Sequence, residues 1–152
     1  YFSKKNQSKS EAMKCIEEQE EKKGLNTIES WIDFAEESKQ HKYKLQEMIF
    51  NHGKKILAYG ASARSSTLLN YCEINHNHVS AIIDKNPLKH GLLTPGSKIP
   101  IISFEQGLRE MAGNDRILLL AWNFEEEVIS DLRSYNYTGE FIVPLPNKPR
   151  VR

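Results

Sequence analysis

The densest chemistry in the chain is the run Tyr59-Gly60-Ala61-Ser62-Ala63-Arg64-Ser65. A glycine followed by small residues lets the backbone approach a ligand closely. A helix opening just behind it presents free N–H groups that favour a phosphate. Arg64 adds a guanidinium suited to a charge-assisted contact with such an anion. The run departs from the dinucleotide fingerprint G-x-G-x-x-G, because Ser62 and Ser65 stand where the second and third glycines belong. That departure disfavours standard NAD binding. A tight strand-to-helix turn with no ligand is the bland alternative.

Further along, Asp84-Lys85-Asn86-Pro87 closes an apolar run. A carboxylate at this distance from a glycine turn is placed to accept a ribose hydroxyl. Equally, Asp84 can bond its own backbone in a turn. Asn86 and Lys89 follow as further candidates for nucleotide or sugar contacts. The connection from Lys85 to Ser97 is long, and long connections are often functional. Trp122 has a face that can stack on a base or pack into the core, and Asn123 reads foremost as a helix cap. His76 and His78 lack a third ligand at metal-site spacing, so a polar loop is the better reading. There is no G-x-S-x-G elbow and no supported pair of catalytic carboxylates. The candidate site is therefore a binding site with no catalytic residue and no metal ligand assigned.

The elements that must position these residues follow from the hydrophobic pattern. Lys55–Tyr59, Val79–Ile83, Lys98–Ile102, Ile117–Ala121 and Phe141–Val143 are five short apolar strand candidates. Helical patterns separate them: about Arg64 to Glu73, Ser103 with Gln106 capping a helix to Met111, and Asn123 with Glu126 capping one to Tyr135. Strand and helix in alternation imply crossovers and a parallel sheet. The expected fold is α/β: a Rossmann-like doubly wound, mostly parallel five-stranded sheet. In such sheets ligands bind beyond the carboxyl ends of the strands, near the switch point. That rule selects the loops after Tyr59, Ile83, Ala121 and Val143.

Ahead of the sheet lies a helical lead-in, residues 1–52, with nine lysines, ten acidic residues and no proline. Ser8 with Glu11 and Asn26 with Glu29 have capping-box spacing for two helices broken by Gly24. Ile28, Trp31, Ile32, Ala35, Leu45, Met48 and Ile49 recur at helical spacing and read as core or inter-domain packing. Residues 53–152, with all six prolines, form the ligand-binding domain. The net charge of +1 argues against nucleic-acid binding through a large basic surface. No run is apolar enough for a membrane span. Two cysteines, Cys15 and Cys72, make neither a disulfide framework nor a zinc quartet, which points to the cytoplasm. The chain opens at Tyr1, and Tyr1–Lys5 does not resemble a signal peptide, so a piece of something longer is expected.

The ordered segments Y-G-A-S-A-R-S-S-T-L-L-N (59–70), D-K-N-P-L-K-H-G (84–91), P-G-S-K-I-P-I (95–101), L-L-A-W-N-F (119–124) and F-I-V-P-L-P (141–146) resemble the C-terminal domain of sugar C-methyltransferases. The resemblance spans nearly the whole chain. It implies a longer enzyme with a zinc-binding N-terminal region, a central S-adenosylmethionine-binding methyltransferase domain and this C-terminal domain. On that reading the substrate is a nucleotide-diphosphate sugar, the partner is the upstream domain of the same polypeptide, and this part alone binds no cofactor and transfers no methyl group. C-methylation beside a ketone needs proton removal to an enolate and attack on the sulfonium methyl. The sugar must then be held about 3–3.5 Å from that methyl. Arg64 and Ser65 stand where the family's motif has Lys and Gly. On this resemblance Gly60, Ala61, Ser62, Ala63, Arg64 and Ser65 are expected on the phosphate side, with Tyr59 beside them in the substrate-binding set, Asp84, Asn86 and Lys89 as weaker nucleotide or sugar contacts, and Trp122 and Asn123 as weaker still. Two rivals share the fold: a non-enzymatic nucleotide- or CoA-binding regulatory module, and a dimerisation domain using the 28–49 stripe.

Overall fold

The computed structural model describes residues 8–152. They fall into two compact units, one ending at Gln40 and one running from His41 to Arg152.

The first unit holds α1 (Glu11–Lys22) and the start of α2 (Ile28–Phe50). Ser10, not Ser8, opens α1: its hydroxyl accepts from the Met13 N–H at 3.3 Å. Ser8 lies too far upstream to reach that amide. The second helix is likewise opened by Thr27 rather than Asn26, with Thr27 Oγ1 accepting from the Ser30 N–H at 3.3 Å. α1 buries no side chain. In α2, Ile28, Trp31 and Ile32 are exposed, and only Leu45 and Ile49, beyond Gln40, are buried.

The second unit is built on a sheet. Its strands are β1 (Ile56–Tyr59), β2 (Val79–Ile83), β3 (Ile101–Ile102), β4 (Arg116–Leu119), β5 (Glu140–Val143) and β6 (Arg150–Val151). Between them run α3 (Ala63–Tyr71), α4 (Phe104–Met111) and α5 (Glu125–Ser134). The spatial order is β3-β2-β1-β4-β5-β6. The first five strands are parallel, as the alternating pattern predicts. Strand β6 corrects the expected count to six: it pairs antiparallel with β5. Two residues carry no periodicity from which a strand can be read. The strand is held by backbone bonds between Phe141 and Arg152 at 2.8 and 2.9 Å. Arg150 and Arg152 also pair with Glu125, and Arg152 with Glu126, at the start of α5.

Alternation along the strands divides the core into two faces. Ile56, Ala58, Ile82, Leu118 and Ile142 point one way, against Leu45 and Ile49 of α2 and Leu68, Leu69 and Cys72 of the α3 segment. Leu57, Tyr59, Ile83, Leu119, Phe141 and Val143 point the other way, against Met111 of α4 and Val128 and Leu132 of α5. Both faces of the sheet are covered, which is the doubly wound arrangement and explains why these strands are continuous apolar runs. Helix α4 reaches the sheet because residue 107 is glycine: a Cβ there would lie 2.5 Å from Ile83 Cδ1.

The winding sets the site. From β1 the chain steps outward to β2 and β3, then returns to lay β4 on the other side of β1. The direction reverses between β1 and β4, and register aligns the strand ends there: Tyr59 faces Ile83 on one side and Leu119 on the other. The loops beginning at Gly60, Asp84 and Leu120 therefore leave the sheet side by side.

Candidate functional site

A cleft of about 180 Å³ opens at this switch point. Gly60, Ala61, Ser62 and Arg64 line it from the β1–α3 loop. Asp84 and Lys89 come from the long loop after β2. Trp122 and Asn123 come from the loop after β4. Eight of the twelve residues singled out by sequence thus meet at one place. Leu120, Ala121 and Phe124 also line the cleft and were not among them. Their position just beyond β4 is the signal that marks them.

The β1–α3 loop lies against the β4 loop with no room to spare. Gly60 has φ +97°, and a Cβ on it would sit 2.8 Å from Ala121 Cβ and 3.0 Å from Ala121 N. Behind Gly60 the loop caps α3. Ser62 Oγ accepts from the Ser65 N–H at 3.1 Å, and Ser65 Oγ accepts from the Ser62 N–H at 2.6 Å. The two serines that break the glycine fingerprint form a reciprocal capping box. Ser65 is buried and does not line the cleft.

This capping fixes which backbone donors remain. The Gly60 N–H bonds Ile83 O at 2.8 Å, and the Ala61 N–H bonds Asp84 Oδ2 at 2.9 Å. Ser62 and Ser65 satisfy one another. Among the described residues, the amides of Ala63 and Arg64 have no acceptor, as the first residues of a helix must. They sit at the positive end of α3. The Arg64 guanidinium lies over the Trp122 ring, 5.6 Å from its centroid. Trp122 is half-buried and packs against both core faces at the end of the sheet.

Asp84 is buried and fully engaged. Its Oδ2 accepts from the Ala61 N–H and from Lys89 Nζ at 3.0 Å, and its Oδ1 accepts from the Asn86 N–H at 2.9 Å. Lys89 Nζ also donates to Ala61 O at 2.6 Å. His90 Nε2 donates to Asp84 O at 2.8 Å. The loop from Lys85 to Ser97 is tied down beyond this point: Gly91 and Leu92 pair with Ile101, and Thr94 Oγ1 and Ser97 Oγ lie 2.6 Å apart.

Tyr59, Ala63, Ser65 and Asn86 fall outside the cleft. Tyr59 lies in the core, where burial raises its phenol pKa against the opposing pull of Lys85. Ala63 does not line the cleft, and its amide is one of the two unbonded donors at the start of α3. Asn86 is exposed, and its Oδ1 accepts from the Leu88 N–H at 3.0 Å. Asn123 caps no helix: a 3-10 turn, Trp122–Phe124, intervenes before α5, which has no side-chain cap. Its side chain is exposed at the cleft instead. His78 Nδ1 accepts from the Asn75 N–H at 3.2 Å, a loop bond. Among the described residues no three His, Cys, Asp or Glu side chains gather as metal ligands. No helix there is long and apolar enough to cross a membrane.

A larger groove of about 850 Å³ lies at the opposite ends of β4 and β5. Its charged side chains are engaged within it: Asp115 pairs with Lys54 and hydrogen-bonds His52, and Arg116 pairs with Glu140. It faces the amino ends of the strands, the side where open α/β sheets do not build their ligand sites.

Comparison with known proteins gives one family match: residues 1–146 fit the C-methyltransferase C-terminal domain. The C-methyltransferase NovU of Streptomyces niveus is 34% identical over 137 residues, covering 88% of this chain and 32% of that protein. The chain thus spans about a third of that relative's length. A solved structure, UDP-D-quinovosamine 4-dehydrogenase from Vibrio fischeri, is 21% identical with a TM-score of 0.45, covering 65% of this chain and 91% of that one. That likeness is too distant to carry weight.

Proposed function

The chain belongs to the C-methyltransferase C-terminal domain family, and on that premise we propose that it holds the nucleotide-diphosphate sugar for an S-adenosylmethionine-dependent sugar C-methyltransferase. The single observation that carries this reading is the cleft at the β1/β4 switch, where a capped helix start, Arg64 and Lys89 converge beside the Trp122 ring. Two amides and two cations suit a diphosphate. The same cations suit S-adenosylmethionine poorly, because its sulfonium is itself positive. Methyl donation therefore falls to the upstream methyltransferase domain of the polypeptide, as does any zinc. Residues 53–152 form the ligand-holding domain and residues 1–52 its helical lead-in. The site is one of cytoplasmic metabolism, consistent with the free thiols of Cys15 and Cys72.

In this division of labour the chain contributes binding and orientation. Anchoring the diphosphate at the switch point leaves the sugar projecting outward, toward a second domain that brings the methyl donor. Thermal shifts with a ligand panel test the reading. Thymidine-diphosphate sugars are expected to raise the unfolding temperature more than CoA or NAD. A preference for CoA or NAD would point to a regulatory nucleotide module instead.

A further inference from the structure

The carboxylate at the end of β2 is the natural candidate for a ligand contact, yet all its contacts are internal. Asp84 is 8% exposed. Three donors converge on it, from Ala61, Asn86 and Lys89. A buried carboxylate stripped of such donors is costly, so this arrangement is strongly specified. Lys89 makes it a closed loop of contacts, since its ammonium bridges Asp84 Oδ2 and the Ala61 carbonyl. Both the N–H and the C=O of Ala61 are thus clamped by side chains of the β2 loop. An ammonium has three N–H groups, and these two contacts leave one for the cleft that Lys89 lines.

We infer that Asp84 is a positioning residue for the anion site and that Lys89, which completes the same clamp, also contacts the anion directly, an inference that rests on the binding reading above. Asp84 takes up the Ala61 amide, which leaves the amides of Ala63 and Arg64 as the unbonded donors at the start of α3 that an incoming phosphate would meet. Lys89 neutralises the buried carboxylate and supplies its remaining N–H to the same anion. Asp84 itself touches no ligand. The Gly-rich turn of a dinucleotide fold shapes itself with glycines, whereas this turn is shaped by a carboxylate–lysine clamp from the neighbouring loop together with the Ser62–Ser65 box.

The test is amide NMR on the 152-residue chain, wild type and the variants Asp84→Ala, Asp84→Asn, Lys89→Met and Lys89→Arg, with inorganic pyrophosphate as the probe. Without ligand, hydrogen exchange at the Ala61 amide should quicken about tenfold or more in Asp84→Ala, while Asp84→Asn, which keeps an acceptor, restores part of the protection. Exchange at Ile82, inside the sheet, reports global unfolding and serves as the reference. Pyrophosphate should shift the Ala63 and Arg64 amides in the wild type, with affinity about tenfold weaker in Lys89→Met and largely restored in Lys89→Arg. Unchanged Ala61 exchange in Asp84→Ala overturns the positioning role, and undiminished pyrophosphate affinity in Lys89→Met overturns the direct contact. If Ala61 is released by Asp84→Ala but the wild type ignores pyrophosphate, the clamp stands as the device that shapes the turn and the binding reading fails.

Discussion

The missing Cβ of Gly60 would lie 2.8 Å from the Cβ of Ala121. That one distance joins the loop after β1 to the loop after β4 and sets the width of the cleft between them. Gly60→Ala is expected to lower stability by roughly 2–4 kcal/mol, through positive φ and overpacking together. Gly53 isolates the first contribution: it has φ +79° and nothing within 4 Å of an added Cβ. Gly53→Ala should cost only about 1–2 kcal/mol. Urea unfolding of the two variants measures the difference, and equal losses would show that the loop contact is not tight.

Arg64 over Trp122 is a cation–π contact at the mouth of the cleft. Arg64→Ala should leave stability within about 1 kcal/mol of wild type, as expected for an exposed contact. Its effect on diphosphate affinity should be larger, about tenfold to a hundredfold, because a charge-assisted contact is lost. Titration followed by Trp122 fluorescence reads both the contact and the binding; Trp31, in the lead-in, is replaced by Phe to leave one reporter.

The two thiols should separate cleanly in reactivity. Cys15 is exposed and Cys72 is buried. Burial pushes the Cys72 thiol up to about 11, which suppresses the reactive thiolate at neutral pH. Alkylation of the native protein should stop at one thiol per chain, assigned by mass spectrometry to Cys15. The second should react only as fast as the second unit opens.

Glu125 ties α5 to β6 and carries a pH signature. Its burial works to raise the carboxyl pKa, but hydrogen bonds from Arg152 and Arg150 outweigh it and the net direction is down. A carboxyl lowered by folding contributes stability that is present above its ordinary pKa and lost as the pH falls through its folded value. Glu125→Gln should therefore cost roughly 1–3 kcal/mol near neutral pH. The gap to wild type should shrink as the solution is made acidic. A gap independent of pH would mean that the two arginines do not stabilise the charged form.

How much of this was legible in the sequence differs by element. Val79–Ile83 stands in the structure with the ends the apolar run gives it, because a strand buried on both faces must be apolar throughout. Ser103 caps α4 through the Gln106 amide, as its spacing demands. The caps expected at Ser8, Asn26 and Asn123 do not form there: Ser10 and Thr27 stand within two residues of the first two and the backbone path selects them, while a 3-10 turn takes up Asn123 and α5 starts without a side-chain cap. Strand β6 escaped because two residues held by Glu125 and Glu126 owe their place to tertiary ion pairs. Within the site, Gly60 and Arg64 were visible from local sequence. The inward role of Ser65 and the clamp on Asp84 were not, since each depends on a partner's geometry: the Ser62 hydroxyl in one case, Lys89 and Ala61 in the other.

The most direct measurement of the central claim is a chemical-shift map of the 152-residue chain titrated with a thymidine-diphosphate sugar. Shifts should concentrate at the amides of residues 60–64 and 120–124, with Lys89 responding and the groove around His52, Asp115 and Glu140 silent. Shifts centred on that groove, or none at either place up to millimolar ligand, would contradict that claim.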